Sequence, residues 1–505
     1  MTMSGLDWGV IIAFFLLMVV IGFTTYKKVQ GSKDYFVAGG NLPWWLGGIS
    51  HHVGGYSGAV FVAYAGLAYT HGFSLYVWWA LPIFVSVIVG AYIMAPRWSK
   101  LRTKLDIESP TEYLAMRYNV PTQQLIAWSG VLLKLFDVGA KWAAIGILLN
   151  VFTGVPIMYG ILLSGLVSLV YITIGGIWAD LWTDFVQFLI QIVAAFVMFF
   201  IVLSKMGGVS SIFGIWDNLP PANSQPFNEP YSIGYVLVFV FIVFLSYNGG
   251  TWNLAARYIS SPSGKEAKKS ALLSGWLYLL FPLILFFPMW AAPLILPNLD
   301  DPTKSYALLT QELLPAGLVG LVLASLFAAT MSMTSSDANT ISSVITRDIL
   351  PVMSWKFKGL NQQATLKIAR ITTFIFTFAT LIIAIFSDNF GGVLGLLISW
   401  FAALVGPVSI PMLLGLLPAF KRSGSAAAFS SIIAGFIMFA VTKYWVDWPL
   451  YVELGAPVFS SALVYIGMGF FNNKAVSPDV EDMLTAISKS DEELASDTKN
   501  INTAL

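Results

Sequence analysis

The 505-residue chain has no cysteine, only three histidines, and charge on just 10% of its residues. Without cysteine there are no disulfides and no thiolate metal sites. A soluble globular chain is about a quarter charged, so this one cannot cover a water-facing surface of its size. The formal net charge of +1 gives no electrostatic footprint for nucleic acid. Segments of ~10 residues with alternating polarity, the mark of a membrane β-barrel, are missing as well. What the chain has is 57% hydrophobic residues, 15% aromatics and a mean hydropathy of +0.76. Runs of ~20 apolar residues, the length a bilayer core requires, recur from end to end. The class is a polytopic α-helical membrane protein whose first partner is the lipid bilayer. The first apolar run has no basic segment before it and no small-residue cleavage site after it, so it reads as a retained helix.

The apolar runs predict about thirteen spans: 6–26, 44–70, 74–96, 123–150, 157–176, 181–204, 231–256, 270–297, 314–346, 368–387, 391–418, 425–443 and 455–472. One set of connecting loops carries 19 lysines and arginines, from Lys27 to Arg422, and the other only Lys205, Lys304 and Lys443. The positive-inside rule makes the rich set cytoplasmic, with the N-terminus outside and the tail inside. The acidic tail, 473–505, reads as disordered or as a short surface helix. Two lysines belong to no loop. Lys134 and Lys141 lie inside "GVLLKLFDVGAKWAAIGILL", with Asp137 between them on the same helical face. A charge at bilayer depth costs ~2.5–3.5 kcal/mol on insertion scales, so this face turns toward protein, water or a ligand. One aspartate leaves two lysines with a surplus of +1.

Two spans are interrupted by glycine pairs. Gly54-Gly55 lie about ten residues into the second span, and Gly249-Gly250 lie about as far before the end of the seventh. The two spans run in opposite directions and open consecutive blocks of five. Matching interruptions in two halves point to an inverted-repeat transporter, because open backbone at membrane depth survives only where it is buried or lines a cavity. Close helix packing is the competing explanation for either pair taken alone.

"KDYFVAGGNLPWW", "GGIWADLWTDFVQ", "SLFAATMSMTSSDANTISSVITRDI" and "PMLLGL" (residues 33–45, 175–187, 325–349 and 411–416) occur in an order that resembles the sodium/solute symporter family. That family includes sodium–glucose, sodium–proline and sodium–sialic acid symporters, and the resemblance covers about residues 5 to 475. It implies an all-α, LeuT-like five-plus-five inverted repeat with one extra N-terminal helix. The expected divisions are 1–43, the repeats 44–205 and 206–418, two C-terminal helices over 419–472, and the tail 473–505. It also implies a carrier in the plasma membrane (the inner membrane in bacteria), not an enzyme. The carrier would use sodium to drive uptake of a small organic solute, a sugar or sugar acid first, by alternating access. The competing readings are proton-coupled symport of a monocarboxylate or other small solute and a membrane solute sensor. The oligomeric state stays open.

Carried over by position, the family's common sodium site uses the backbone of Val53, Tyr56 and Ala329 and the hydroxyl of Ser332. The usual second hydroxyl is Met333 here, a poor ligand for a hard cation, although Thr330 could supply one. A second sodium site would use Asp184, Ser335 and Ser336, with Asp184 as a helix cap in the competing view. Solute contacts would come from Trp78, Trp79, Tyr247, Asn248, Trp252, Tyr278 and Ser399, and Trp142 is another stacking candidate. Sialic acid symporters hold their substrate carboxylate from the charged fourth span, so Lys134 or Lys141, steadied by Asp137, would bind an anionic solute. A structural charge cluster is the competing view. His51 and His52 read as hydrogen-bonded core residues or as a proton-coupling element. Asp337 reads as the partner of a cytoplasmic arginine, with an ion ligand as the competing view.

Overall fold

The structure, a computed structural model, describes residues 3–390 and 405–494. Among these residues it is all helical, apart from one isolated bridge between Asn228 and Tyr231. The helices that concern the site are α1 (Gly5–Thr25), α2 (Trp44–Val53), α3 (Ala63–His71), α4 (Leu81–Ile93), α5 (Ala95–Leu105), α6 (Val120–Thr153), α7 (Ile157–Lys205) and α8 (Ile233–Leu245). There follow α9 (Asn253–Ile259), α10 (Gly264–Ile295), α11 (Leu318–Val344), α12 (Gln362–Ile385), α13 (Gly406–Leu414), α14 (Ser425–Tyr444), α15 (Leu450–Phe470) and α16 (Pro478–Ser488).

Local chemistry sets the ends. Asn119 caps α6 by accepting from Thr122 N at 2.9 Å, and Gly154 at φ +72 closes it. Ser263 caps α10 through Glu266 N. Nine helices among the described residues are long and apolar enough to cross a membrane. Burial sorts them. In its most apolar window α11 is 89% buried, against 33% for α1, α14 and α15, so α11 is central and the other three face lipid. Its main neighbour is α7, with α1, α6 and α12 around the pair.

Two boundaries differ from expectation, and the tail takes the short-helix alternative. The fifth and sixth spans have no loop between them: α7 runs through both, broken only at Gly176 (φ +52, ψ −143). A Cβ there would lie 2.5 Å from Tyr35 O, so the turn needs glycine. The thirteenth span starts earlier, at Leu450, because Pro449 sets its first turn. The tail contains a docked helix, α16, with Val480, Met483, Leu484 and Ile487 buried. It lies along α5, where Lys104 Nζ reaches Asp482 at 2.9 Å. Both expected interruptions are present. After α2 the chain leaves helical geometry at Gly54–Ser57. Between α8 and α9, Gly249 stands at φ +123 and Trp252 at φ +70. The first part of the eleventh span, with Ser399, and residues 495–505 lie outside the described residues.

Candidate functional site

The two interruptions meet. Tyr247 Oη donates to Gly55 O at 2.8 Å, and Asn253 Nδ2 donates to Gly54 O at 3.0 Å. From α10, Tyr278 Oη donates to His52 O at 2.8 Å and His51 O at 3.1 Å. Four carbonyls near the break of α2 thereby accept from side chains, as buried backbone groups need partners. Val53 and Tyr56 differ: no side-chain donor among the described residues reaches their carbonyls. Across from them on α11, Gly58 N donates to Thr330 Oγ1 at 3.0 Å. Ser332 is fully buried, whereas Met333 is only partly so and shows a different face.

A second polar cluster joins α2, α7, α9 and α11. Ser332 Oγ donates to Asp184 at 2.5 Å, and Ser50 Oγ donates to the same carboxylate. Ser335 and Ser336 turn instead to Asp180, Ser336 at 2.8 Å. Arg257 lies between the two carboxylates, with Nη2 2.5 Å from Asp180 and 3.3 Å from Asp184. Its Nε donates to Ser50 Oγ at 2.9 Å, and Nη2 also donates to Ser336. Asp184 is interior to α7, eight residues beyond Gly176, so it does not cap a helix. Asp180 was missed from sequence, although its i, i+4 spacing puts it on Asp184's face. Arg257 is no loop residue: it is fully buried, and it is the partner the carboxylates need.

The charged face of α6 has a different solution from the one expected. Lys134 Nζ lies 3.1 Å from Asp137 and 2.6 Å from Asp337 on α11, and Lys141 Nζ lies 2.7 Å from each. All four side chains are at most 2% exposed. Asp337 thus pairs with these two lysines and with no cytoplasmic arginine. It cancels the surplus charge, so the quartet is neutral.

The expected solute residues divide into groups. Trp79 and Tyr278 face the break of α2: Trp79 meets Tyr56 and Tyr278 edge-on at 6.5 and 6.3 Å, and Tyr247 meets Tyr278 at 5.3 Å. Trp78 turns the other way and stacks on Tyr231 at 4.7 Å. Asn248 Nδ2 is held by Ser86 O and Phe244 O. Trp252 packs so closely on α6 that a Cβ at Gly130 would lie 1.9 Å from its ring. Trp142 donates to Thr380 Oγ1 at 3.2 Å, away from the break.

The sodium:solute symporter family model matches residues 35–435. The chain belongs to the sodium:solute symporter family. As a member it is an integral membrane transporter, not an enzyme, and sodium is its coupling ion. It is 26% identical over 462 residues to the sodium/sialic acid symporter SiaT of Proteus mirabilis (strain HI4320), covering 88% of this chain and 90% of that one. It is also 26% identical to the sodium/glucose cotransporter of Vibrio parahaemolyticus, over 69% of each. A solved structure of a substrate-bound, outward-open Na+-coupled sialic acid symporter superposes with a TM-score of 0.82, at 23% identity. The match covers 94% of this chain and 99% of that one and establishes the LeuT-like fold for this symporter. Hard oxygen donors suit sodium, and backbone carbonyls and hydroxyls, such as those of Val53, Tyr56 and Ser332, are of that kind.

Proposed function

We propose that this symporter takes up a sugar or sugar acid by alternating access, with one sodium seated at the break of α2. The ligands are the carbonyls of Val53, Tyr56 and Ala329 and the Ser332 hydroxyl. The observation that carries this reading is the contrast at the break: its neighbouring carbonyls are satisfied by Tyr247, Asn253 and Tyr278, while those of Val53 and Tyr56 receive no side-chain donor among the described residues. Those same bonds tie α2, α9 and α10 into one unit. A cation between the break and Ser332 adds a further tie from that unit to α11, which is how an ion can bias one conformation over another. A second sodium at Asp184, Ser335 and Ser336 requires Arg257 to withdraw, because the guanidinium already occupies the space between the carboxylates.

The solute class follows from the relatives, whose names specify sialic acid and glucose, and from the rings of Trp79 and Tyr278 beside the break, which offer flat faces to a sugar. A role for Lys134 or Lys141 in holding a solute carboxylate needs one of them to leave its aspartates. The membrane is the plasma membrane (the inner one in bacteria), with the N-terminus outside and the tail inside, a reading supported by the basic loops. The repeats span 44–205 and 206–418.

A thermal-shift screen of purified protein against N-acetylneuraminate, D-glucose, myo-inositol and L-proline, each in sodium or potassium, tests the reading. The expected result is stabilisation by a sugar or sugar acid in sodium alone. In Ser332→Ala the half-saturating sodium concentration should rise about tenfold, the ~1.4 kcal/mol of one ligand contact. Equal stabilisation in potassium, or an unshifted sodium titration for Ser332→Ala, rejects it. Unchanged apparent affinity of Lys141→Met for N-acetylneuraminate removes the lysines from the solute site.

A further inference from the structure

His51 and His52 are neighbours on α2 with opposite surroundings. His51 is fully satisfied: Nδ1 is 2.7 Å from Ser274 Oγ, and Nε2 is 3.0 Å from Tyr247 O and 2.8 Å from Tyr258 Oη. His52 is 1% exposed, yet neither of its ring nitrogens has a partner. Its ring is instead enclosed by the rings of Tyr278 at 4.6 Å, Tyr56 at 5.3 Å, Phe281 at 5.7 Å and Phe188 at 5.8 Å. Buried polar atoms are almost always hydrogen-bonded, so an exception calls for a missing partner. A third unpartnered atom lies nearby. Gln191 accepts from Tyr56 Oη at 2.8 Å through Oε1, while its buried Nε2 has nothing to donate to. Tyr56 therefore touches both groups, and its edge also meets Trp79.

We propose that His52 and Gln191 are the specificity-determining polar pair of the solute site and that they read adjacent hydroxyls of a polyhydroxylated ring. The inference rests on the sugar reading above and adds residues to it. A neutral imidazole carries one donor and one acceptor, whichever tautomer it adopts. A hydroxyl carries the same two functions in complementary form, so one hydroxyl can answer a ring nitrogen of either kind. A carboxylate only accepts and would leave the acceptor nitrogen unmatched. The free Gln191 amide adds two donors for a neighbouring oxygen. Tyr278, edge-on to His52, supplies the apolar wall against which the C–H face of such a ring lies. A site built to hydrogen-bond a hydroxyl rejects solutes that lack it, because the buried groups are then left unpaired.

His52→Phe keeps a flat ring and removes both nitrogens. Gln191→Leu removes the amide and serves as the second variant should the first fail to fold. Uptake into proteoliposomes is measured for D-glucose, myo-inositol and N-acetylneuraminate, and sodium half-saturation is read by thermal shift without solute. The expected result is a KM raised at least tenfold for the transported polyol, with sodium half-saturation unchanged and melting temperature not lowered. An unchanged KM means that trapped water completes His52, and the proposal fails while the sugar reading survives. Sodium half-saturation shifting together with KM marks a structural role and overturns it as well. If none of the three solutes is transported and L-proline is, the sugar reading fails first and the hydroxyl assignment with it.

Discussion

At the scale of single residues, buried charge decides more than sequence position does. Asp337 is the hinge of the neutral quartet. Removing it leaves two ammonium groups with one carboxylate inside the membrane, and breaking a buried pair typically costs ~3–5 kcal/mol. Asp337→Asn should therefore lower the melting temperature sharply. Combining it with Lys134→Met, which restores neutrality, should recover most of the loss. A double variant no more stable than the single one would show that the quartet does not act as a charge-balanced unit.

Glu108 illustrates the other sign. It is 3% exposed in the connection between α5 and α6, and one of its carboxylate oxygens has no partner. Burial raises its pKa above the ordinary 4.5, opposed by Arg347, whose Nη1 lies 3.9 Å away. A raised acid favours folding in its protonated form. That contribution is present below the ordinary value and is lost as pH climbs through the raised one. Glu108→Gln should melt at or above the parent at pH 7.5, and the difference should shrink as pH falls toward 4.5. A variant less stable at pH 7.5 would mean that the Arg347 pairing outweighs burial.

At the scale of elements, two segments interrupted by charge or by glycine are not simple apolar spans. Among the described residues, α6 is missing from the nine apolar spans, and it holds the quartet's two lysines and Asp137. The second span is also missing, because it is broken into α2 and α3. Sequence showed both features, since a lysine in an apolar run and a glycine pair are local facts. The break in the seventh span also has a local mechanism. Gly249 stands at φ +123, and a Cβ there would lie 2.7 Å from Trp98 Nε1. Gly249→Ala should cost ~1–3 kcal/mol in backbone strain, read as a lower melting temperature in detergent. A melting temperature equal to the parent's would show that the break tolerates a side chain. Asp491, just after α16, has an element-scale role too: its carboxylate accepts from Gly264 N at 3.1 Å and Lys265 N at 2.8 Å at the start of α10. Asp491→Ala should cost ~1 kcal/mol, visible in a thermal melt. An unchanged melt would show that these bonds contribute nothing.

At the scale of the whole molecule, the all-helical membrane class, both interruptions and the family were legible in the sequence, while the division into spans was not: the fifth and sixth form one helix, α7. The legible features follow from one-dimensional quantities: apolar run length against bilayer thickness, the flexibility of glycine, and motif order. The tertiary structure alone decided which charges meet. It paired Asp337 with Lys134 and Lys141, and it set Arg257 between Asp180 and Asp184. It also separated His51 from His52, two identical neighbours, one satisfied and one not. The physical reason is that pairing in a low-dielectric interior depends on contacts between helices whose paired residues here lie 73 to 203 positions apart in sequence. Such contacts are fixed by how α2, α6, α7, α9, α10 and α11 pack, and no local spacing records that packing.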